Sequence, residues 1–263
     1  MTDPALEATE AMQRLLALTQ ALRDTPEPFT VAGRRLMPAQ VIEILASYLT
    51  EARRARIDAV LAGRTYTVAP VVEGLINTGN VSAVMRTAEA LGFQGFHIVD
   101  HPEHDDGVRY KTSDRTTQGA DKWLDVWRWP SPEACVAHLK AQGYAVVVTH
   151  LDDRAVPIDT LDFTQKTALV FGNERDGASE AMLALADRTC VVPMAGFTQS
   201  FNISVAAAVC LYHACRDRLA RQGHHGDLSE PQRETLRALF YLKSVRHAHQ
   251  IMARALEGER ENG

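Results

Sequence analysis

Apolar positions along this chain change their period several times, and each change marks an element. Between Ala5 and Arg23, leucines at Leu15, Leu18 and Leu22 follow the i, i+3, i+7 spacing of one helix face. Two prolines between Thr25 and Phe29 predict a linker or turn. A second helix is expected from Pro38, with Val41, Ile42, Leu45, Tyr48 and Leu49 as its stripe and Gly63 as its stop. Tyr66 to Val72 reads as the first strand. After the turn residues Thr78 and Gly79, a helix from Asn80 to Leu91 places Val81, Val84, Met85, Ala88 and Leu91 on one face and Arg86 on the opposite side. Phe96 to Val99 is the next strand. Strand, helix, strand implies a parallel sheet with right-handed crossovers.

The alternation continues downstream. His101 to Lys122 is polar and rich in turn formers, the pattern of an extended loop. Ser131 and Pro132 open a helix that runs to Gln142, and Tyr144 to Val148 is a strand with Thr149 at its carboxyl end. Asp152 to Lys166 is expected to be a connecting loop. Thr167 to Phe171 is an apolar run stopped by Gly172, Ser179 starts a short helix, and Cys190 to Val192 is a second buried strand ended by Pro193. The loop from Met194 to Asn202 places hydroxyls and amides ahead of a helix, Ile203 to Gln222, that is apolar on nearly every face. Ser229 and Gln232 form a capping box for a last helix bearing Leu236, Leu239 and Leu242 beside Arg233, Arg237, Lys243 and Arg246. The fold class is α/β. Carboxyl ends of parallel strands and helix N-termini are where such folds bind ligands, which directs attention to Thr167–Arg216.

Composition narrows the function classes. The 263 residues are 46% hydrophobic and 23% charged, ordinary globular values. No apolar run reaches the ~18 residues of a membrane span, and the acidic start lacks the basic and apolar regions of a signal peptide; a cytoplasmic protein without membrane partners is expected. Cys135, Cys190, Cys210 and Cys215 lack paired metal-ligand spacing and read as core thiols, and the His101–Asp106 run reads as a surface loop, so no metal is expected. The net charge of −5 disfavours polyanion binding unless positive charge is local. Arg34, Arg35, Arg53, Arg54 and Arg56 supply one such cluster, or an ordinary solvated face. No G-x-G-x-x-G follows a strand, so a dinucleotide site is unsupported.

Three ordered segments carry a resemblance: Asn80 to Ala88; Phe171-Gly172-Asn173-Glu174 with Gly177, then Val192-Pro193-Met194; and Ser200 to Ala206. Together they resemble motifs one to three of the SpoU/TrmH family, the SPOUT-class RNA 2′-O-ribose methyltransferases, with Phe201 where that family more often has leucine. The resemblance covers roughly Val68 to Arg221. It implies a parallel-sheet SPOUT domain with a C-terminal trefoil knot (residues 66–222), flanked by a helical N-terminal extension (1–65, with RNA contacts possible) and a helical C-terminal extension (223–263). It also implies S-adenosylmethionine as cofactor and a homodimer with its active sites beside the interface.

Residue by residue, Arg86 matches the motif-one arginine that meets the target ribose, although a helix arginine facing solvent is the plain alternative. Asn80 matches the motif-one asparagine, or caps its helix. Glu174 matches a glutamate that could orient an asparagine, bind the partner's arginine or be a loop anion. Ser200 and Asn202 match the motif-three pair bordering donor and ribose, and both could also cap the following helix. Thr149, Gly172, Val192, Met194, Phe201 and Asn202 match positions around the donor. RNA is the implied partner, tRNA favoured over rRNA because arginine-bearing helices flank the domain. The alternatives are an rRNA 2′-O-ribose methyltransferase and a catalytically inactive SPOUT-fold RNA-binding protein.

Overall fold

The computed structural model describes residues 28–31, 33–74, 77–100, 119–173, 175–198 and 200–261. The expected helix Ala5–Arg23, the His101–Asp106 run and Glu174 therefore lie outside the described residues. In chain order the elements are β1 (Phe29–Val31), β2 (Arg34–Leu36), α1 (Pro38–Ala46), α2 (Glu51–Ala62), β3 (Val68–Glu73), α3 (Thr78–Ala90), β4 (Gly95–Val99), β5 (Asp125–Trp129), α4 (Pro132–Ala141), β6 (Ala145–Thr149), β7 (Val156–Pro157), β8 (Thr167–Phe171), α5 (Glu180–Leu185), β9 (Arg188–Val191), α6 (Ile203–Gln222), α7 (Glu230–Ser244) and α8 (Ala248–Glu261). Contacts divide the chain into two compact units, one formed by Met1–Gly63 with Leu228–Gly263 and the other by Arg64–Asp227.

The first unit is mainly helical. The hairpin β1–β2 begins at Phe29, the last residue of the expected linker, most of which lies outside the described residues: the strands pair antiparallel from Phe29↔Leu36 to Val31↔Arg34, and the turn is possible because Gly33 takes a positive φ of 76°. The expected single helix from Pro38 to Gly63 is two. The Thr50 hydroxyl accepts the Arg53 N–H at 3.2 Å and starts α2 afresh, as a threonine favours a cap over a helix interior. α1 packs on α7 and α8, and α2 packs on α7. Val41, Leu45, Ile57, Leu61, Leu236, Phe240 and Met252 are buried within the unit. The Ser229–Gln232 capping box forms as expected. The single last helix that was expected is also two, α7 and α8, parted at His247, whose φ of 58° breaks the helical path.

The second unit is a seven-stranded sheet ordered β5-β4-β3-β8-β6-β9-β7, with every neighbouring pair parallel. β3, β4 and β8 are buried at every position, as strands covered on both faces must be. One face packs Val81, Val84, Met85 and Ala88 of α3 with Ala207, Cys210, Leu211 and Ala214 of α6. The other packs Cys135, Val136 and Leu139 of α4 with Met182 of α5. The expected loop Asp152–Lys166 contains the edge strand β7, paired with β9 through Val156↔Cys190 and Pro157↔Val191. A proline, which cannot donate to a ladder, is tolerated there because the strand is at the edge. Cys135, Cys190 and Cys210 are buried, which pushes each thiol up to about 12. Among the described residues no His, Cys, Asp and Glu group is arranged to hold a metal.

Candidate functional site

Sheet register brings the predicted strand-end residues into one row. Val72 of β3 pairs with Phe171 of β8, Phe171 with Thr149 of β6, and Thr149 with Cys190 of β9. Gly172 and Val192 therefore continue from β8 and β9, the two strands that flank Thr149 on β6. Thr149 is half-buried, and its hydroxyl donates to the Val170 carbonyl at 2.9 Å, which fixes its rotamer along the strand. Val192 is half-buried and packs on the core that includes Phe171 and Ile203. That contact brings the β9 end to the start of α6.

Gly172 is glycine for a steric reason. A Cβ there would lie 2.2 Å from the Gly177 carbonyl carbon and 2.2 Å from the Ala178 nitrogen, so only hydrogen fits. The turn that follows closes on itself. Asn173 and Gly177 exchange backbone hydrogen bonds of 2.9 and 3.1 Å, and the Asn173 Oδ1 accepts the N–H groups of Arg175 and Asp176 at 2.9 and 2.7 Å. Gly177 takes a φ of 74° to make that closure.

Asn202 is the N-cap of α6, its Oδ1 accepting the Ser204 N–H at 2.9 Å and the Ser204 hydroxyl at 2.6 Å. Ser200, Phe201 and Asn202 are exposed and Met194 is half-buried. α6 begins at Ile203, after the connection 192–202 from the β9 end, and Ile203 is buried in the same core as Phe171.

The Asn80 cap reading needs correction. α3 starts two residues earlier than expected, and its cap is Asn77, whose Oδ1 accepts the Gly79 N–H at 2.8 Å. Asn80 lies in the first turn and is half-buried. Arg86 is exposed on α3, on the side away from the core-facing Val81, Val84, Met85 and Ala88. Among the described residues it has no hydrogen-bond or ion-pair partner. Six residues separate Asn80 from Arg86, which sets them roughly 120° apart around the helix. The register thus sets Thr149 between the strands that lead to Gly172 and Val192, whereas Arg86 stands on the outer face of α3.

Sequence reasoning passed over one residue at this end. Glu73, the last residue of β3, is buried, and its carboxylate accepts the Ser179 N–H at 3.1 Å and the Ser179 hydroxyl at 2.5 Å. Its charge also adds to burial in raising the Cys135 thiol. The available signal was an acidic residue ending an otherwise apolar strand.

Comparison with known proteins agrees with this arrangement. The family model of the SpoU rRNA Methylase family matches residues 68–212, from the first residue of β3 into α6. A tRNA (guanosine(18)-2′-O)-methyltransferase of Borreliella burgdorferi is 31% identical over 206 residues, covering 78% of this chain and 92% of the relative. Among solved structures, the A. aeolicus TrmH/SpoU tRNA modifying enzyme is similar with a TM-score of 0.65 and 30% identity, covering 74% of this chain and 98% of that one. The SpoU methyltransferase AviRb of Streptomyces viridochromogenes, in complex with the cofactor AdoMet, is similar with a TM-score of 0.51 and 32% identity over 58% of each chain. With the family match spanning more than half of the sequence and the parallel sheet holding its motifs at one end, this chain belongs to the SpoU rRNA methylase family.

Proposed function

We infer that this chain is an S-adenosylmethionine-dependent RNA 2′-O-ribose methyltransferase acting on tRNA, at a guanosine ribose of the D-loop. The observation that supports this reading is the row of strand ends Phe171, Thr149 and Cys190, from which Gly172 and Val192 continue, with Val192 packed on the core that also holds Ile203 of α6. The relative covering most of this chain is a tRNA (guanosine(18)-2′-O)-methyltransferase.

These residues suit the methyl donor. Gly172 leaves backbone room, Val192 and Phe201 offer apolar surface, and backbone groups of the Met194–Asn202 loop can serve an adenosine. When bound, the donor supplies a methyl carbon activated by its sulfonium. In the transfer the ribose 2′-oxygen would lose its proton to solvent as the O–CH3 bond formed and the S–CH3 bond broke, leaving the sulfur a neutral thioether. Guanidinium groups stay protonated in proteins, so Arg86 does not take that proton; it stabilises the negative charge that develops on the 2′-oxygen and grips the adjacent phosphate. Ser200 and Asn202, exposed at the α6 start, border donor and ribose. Asn80, in the first turn of α3, is assigned to the ribose side, and Glu174 is assigned to orienting the site.

Assembly is part of the same proposal. Val205, Val209, Tyr212 and Leu219 are exposed large apolar residues, and their spacing puts them on one stripe of α6, with exposed Phe201 just ahead of the helix. A second copy of the chain would cover that stripe and complete the site from the side on which Arg86 stands. The trefoil knot of the SPOUT domain and a cytoplasmic location belong to this reading too. Among the described residues no helix is long and apolar enough to cross a membrane.

The basic helix α2 is assigned to RNA. Arg53 and Arg56 are exposed and Arg54 is half-buried, while Arg237 is occupied by Asp58 at 2.8 Å. A protein of net charge −5 must bind phosphates through such local clusters. Purified protein incubated with labelled donor should methylate bulk tRNA; labelling of ribosomal RNA alone would move the assignment to that substrate, and labelling of neither would overturn it. Neutralising Arg53, Arg54 and Arg56 together should weaken tRNA binding and flatten its salt dependence while donor binding stays intact. Sedimentation as a stable monomer at micromolar concentration would remove the dimer from the proposal.

A further inference from the structure

We infer that Glu73 is a positioning residue for the methyl donor, holding the turn that starts at Gly172 in its binding conformation; this rests on the methyl-transfer reading above. A buried carboxylate at the end of a strand is costly unless its oxygens are filled. Here one residue fills both. Oε2 accepts the Ser179 N–H at 3.1 Å, Oε1 accepts the Ser179 hydroxyl at 2.5 Å, and the Ser179 Oγ in turn accepts the Met182 N–H at 3.1 Å as the cap of α5. The carboxylate thus ties β3 to the far end of the turn, 106 positions along the chain.

The near end of the turn is held by packing, since Gly172 lies against the Gly177 and Ala178 backbone, and its middle is closed by the Asn173–Gly177 pair. Those two restraints are local. They shape the turn without saying where it sits relative to the sheet. Glu73 supplies that reference from a rigid strand end: it pairs with Val99 in the β3–β4 ladder, and the next residue, Gly74, donates its N–H to the Val99 carbonyl at 3.0 Å. Groups that orient a site through buried charge-assisted hydrogen bonds act on affinity without touching the ligand. Glu73 meets that description, and neither Thr149 nor Asn202 does the same work, because their side chains are bonded within their own strand pair and helix cap.

Glu73→Gln retains size and one acceptor but loses the charge, and Ser179→Ala removes the hydroxyl donor to Glu73 together with the α5 cap. Glu73→Gln should raise the donor Kd about tenfold by calorimetry, as loss of charge-assisted bonding does. The donor KM should rise with it, whereas kcat at saturating donor and the KM for RNA stay within about twofold. In the free protein, amide exchange at Ser179 and Met182 should speed up. Ser179→Ala should act in the same direction more weakly, and the double variant should be no worse than Glu73→Gln alone, since both act through one contact. Parental donor affinity in Glu73→Gln, or strictly additive losses in the double variant, would overturn the inference while leaving the methyl-transfer reading in place. A parent that binds no donor would overturn both.

Discussion

The two ends of the same parallel sheet are built on opposite terms. At the end where the strands begin, charges are buried and paired. Arg64 is 1% exposed and meets Glu89 at 2.5 Å; Arg218 is 0% exposed and reaches Asp227 at 2.5 Å, the Phe163 carbonyl at 2.8 Å and the His225 carbonyl at 3.0 Å. Tyr66 donates to Asp125, Tyr144 donates to the Tyr66 carbonyl, and the Thr67 hydroxyl donates to Asp227 at 2.5 Å. Asp227 N–H also bonds the Arg64 carbonyl at 3.0 Å, joining the residues where the chain enters and leaves this unit. At the end where the strands finish, Glu73 is the buried charge, and Ser200, Asn202 and Arg86 are turned to solvent. One end buries its charged groups against each other, which closes the unit. The other keeps Ser200, Asn202 and Arg86 exposed, as the proposed site requires. Polar side chains at either end look alike in a sequence; whether their bonds are already satisfied separates structure from function.

Substitutions at the closed end should cost stability first. Arg218→Ala removes a buried cation from a carboxylate and two carbonyls, and should lower unfolding free energy by about 3–5 kcal/mol, the usual cost of breaking a buried pair. Urea denaturation checks this, and a loss under about 1 kcal/mol would show that the closed end does not depend on its ion pairs.

At the open end the cost should fall on rate. Arg86→Ala should slow methylation at least ~10²-fold, about 2.7 kcal/mol of lost charge stabilisation, with little change in donor affinity or melting temperature. Unchanged turnover would return Arg86 to an ordinary solvated helix arginine.

The pH dependence of stability should belong to buried histidines away from the open end. His97 is held neutral by burial, with help from His138, down to about 3, and His225 by burial and the Arg218 charge down to about 4. Unfolded, both would titrate near 6.5. Their folded values are depressed, so the native state is favoured fully above the unfolded value and loses ground as pH falls towards the folded ones. Between about pH 6 and pH 5 the two together should remove about 2 kcal/mol. Denaturation midpoints across that range measure it, and replacing either histidine with an apolar residue should flatten the slope.

The smallest effect concerns the open end's turn. Gly172→Ala forces backbone at Gly177 and Ala178 to move, and donor affinity should fall about tenfold, accompanied by a loss of stability because the clash is with backbone. Parental affinity would mean that the turn can shift without consequence for the donor.

Much of this was legible because it is local. Val81, Val84, Met85 and Ala88 are buried and Arg86 is exposed as the helical period required, and Ser131, Ser179 and Ser229 each cap the helix they precede. Departures came where two local signals competed. Thr50 split one helix because its hydroxyl satisfies α2's first turn, and the apolar stripe through Tyr48 concealed the break. Pro157 hid β7 because proline argues against a strand except at an edge, and the edge position is not visible in one dimension.

Sequence alone determined the alternation of strands and helices, the caps, the core-facing stripes and the motif residues, since each depends on side chains a few positions apart. Tertiary structure alone decided the strand order β5-β4-β3-β8-β6-β9-β7, and with it which strand ends stand side by side. It decided that Arg64 and Arg218, which a sequence reader would set in solvent, are buried, because their partners Glu89 and Asp227 arrive only when the chain folds back. It also gave Glu73 its partner Ser179. Pairings across such separations are chosen by sheet register and packing, which no local period encodes.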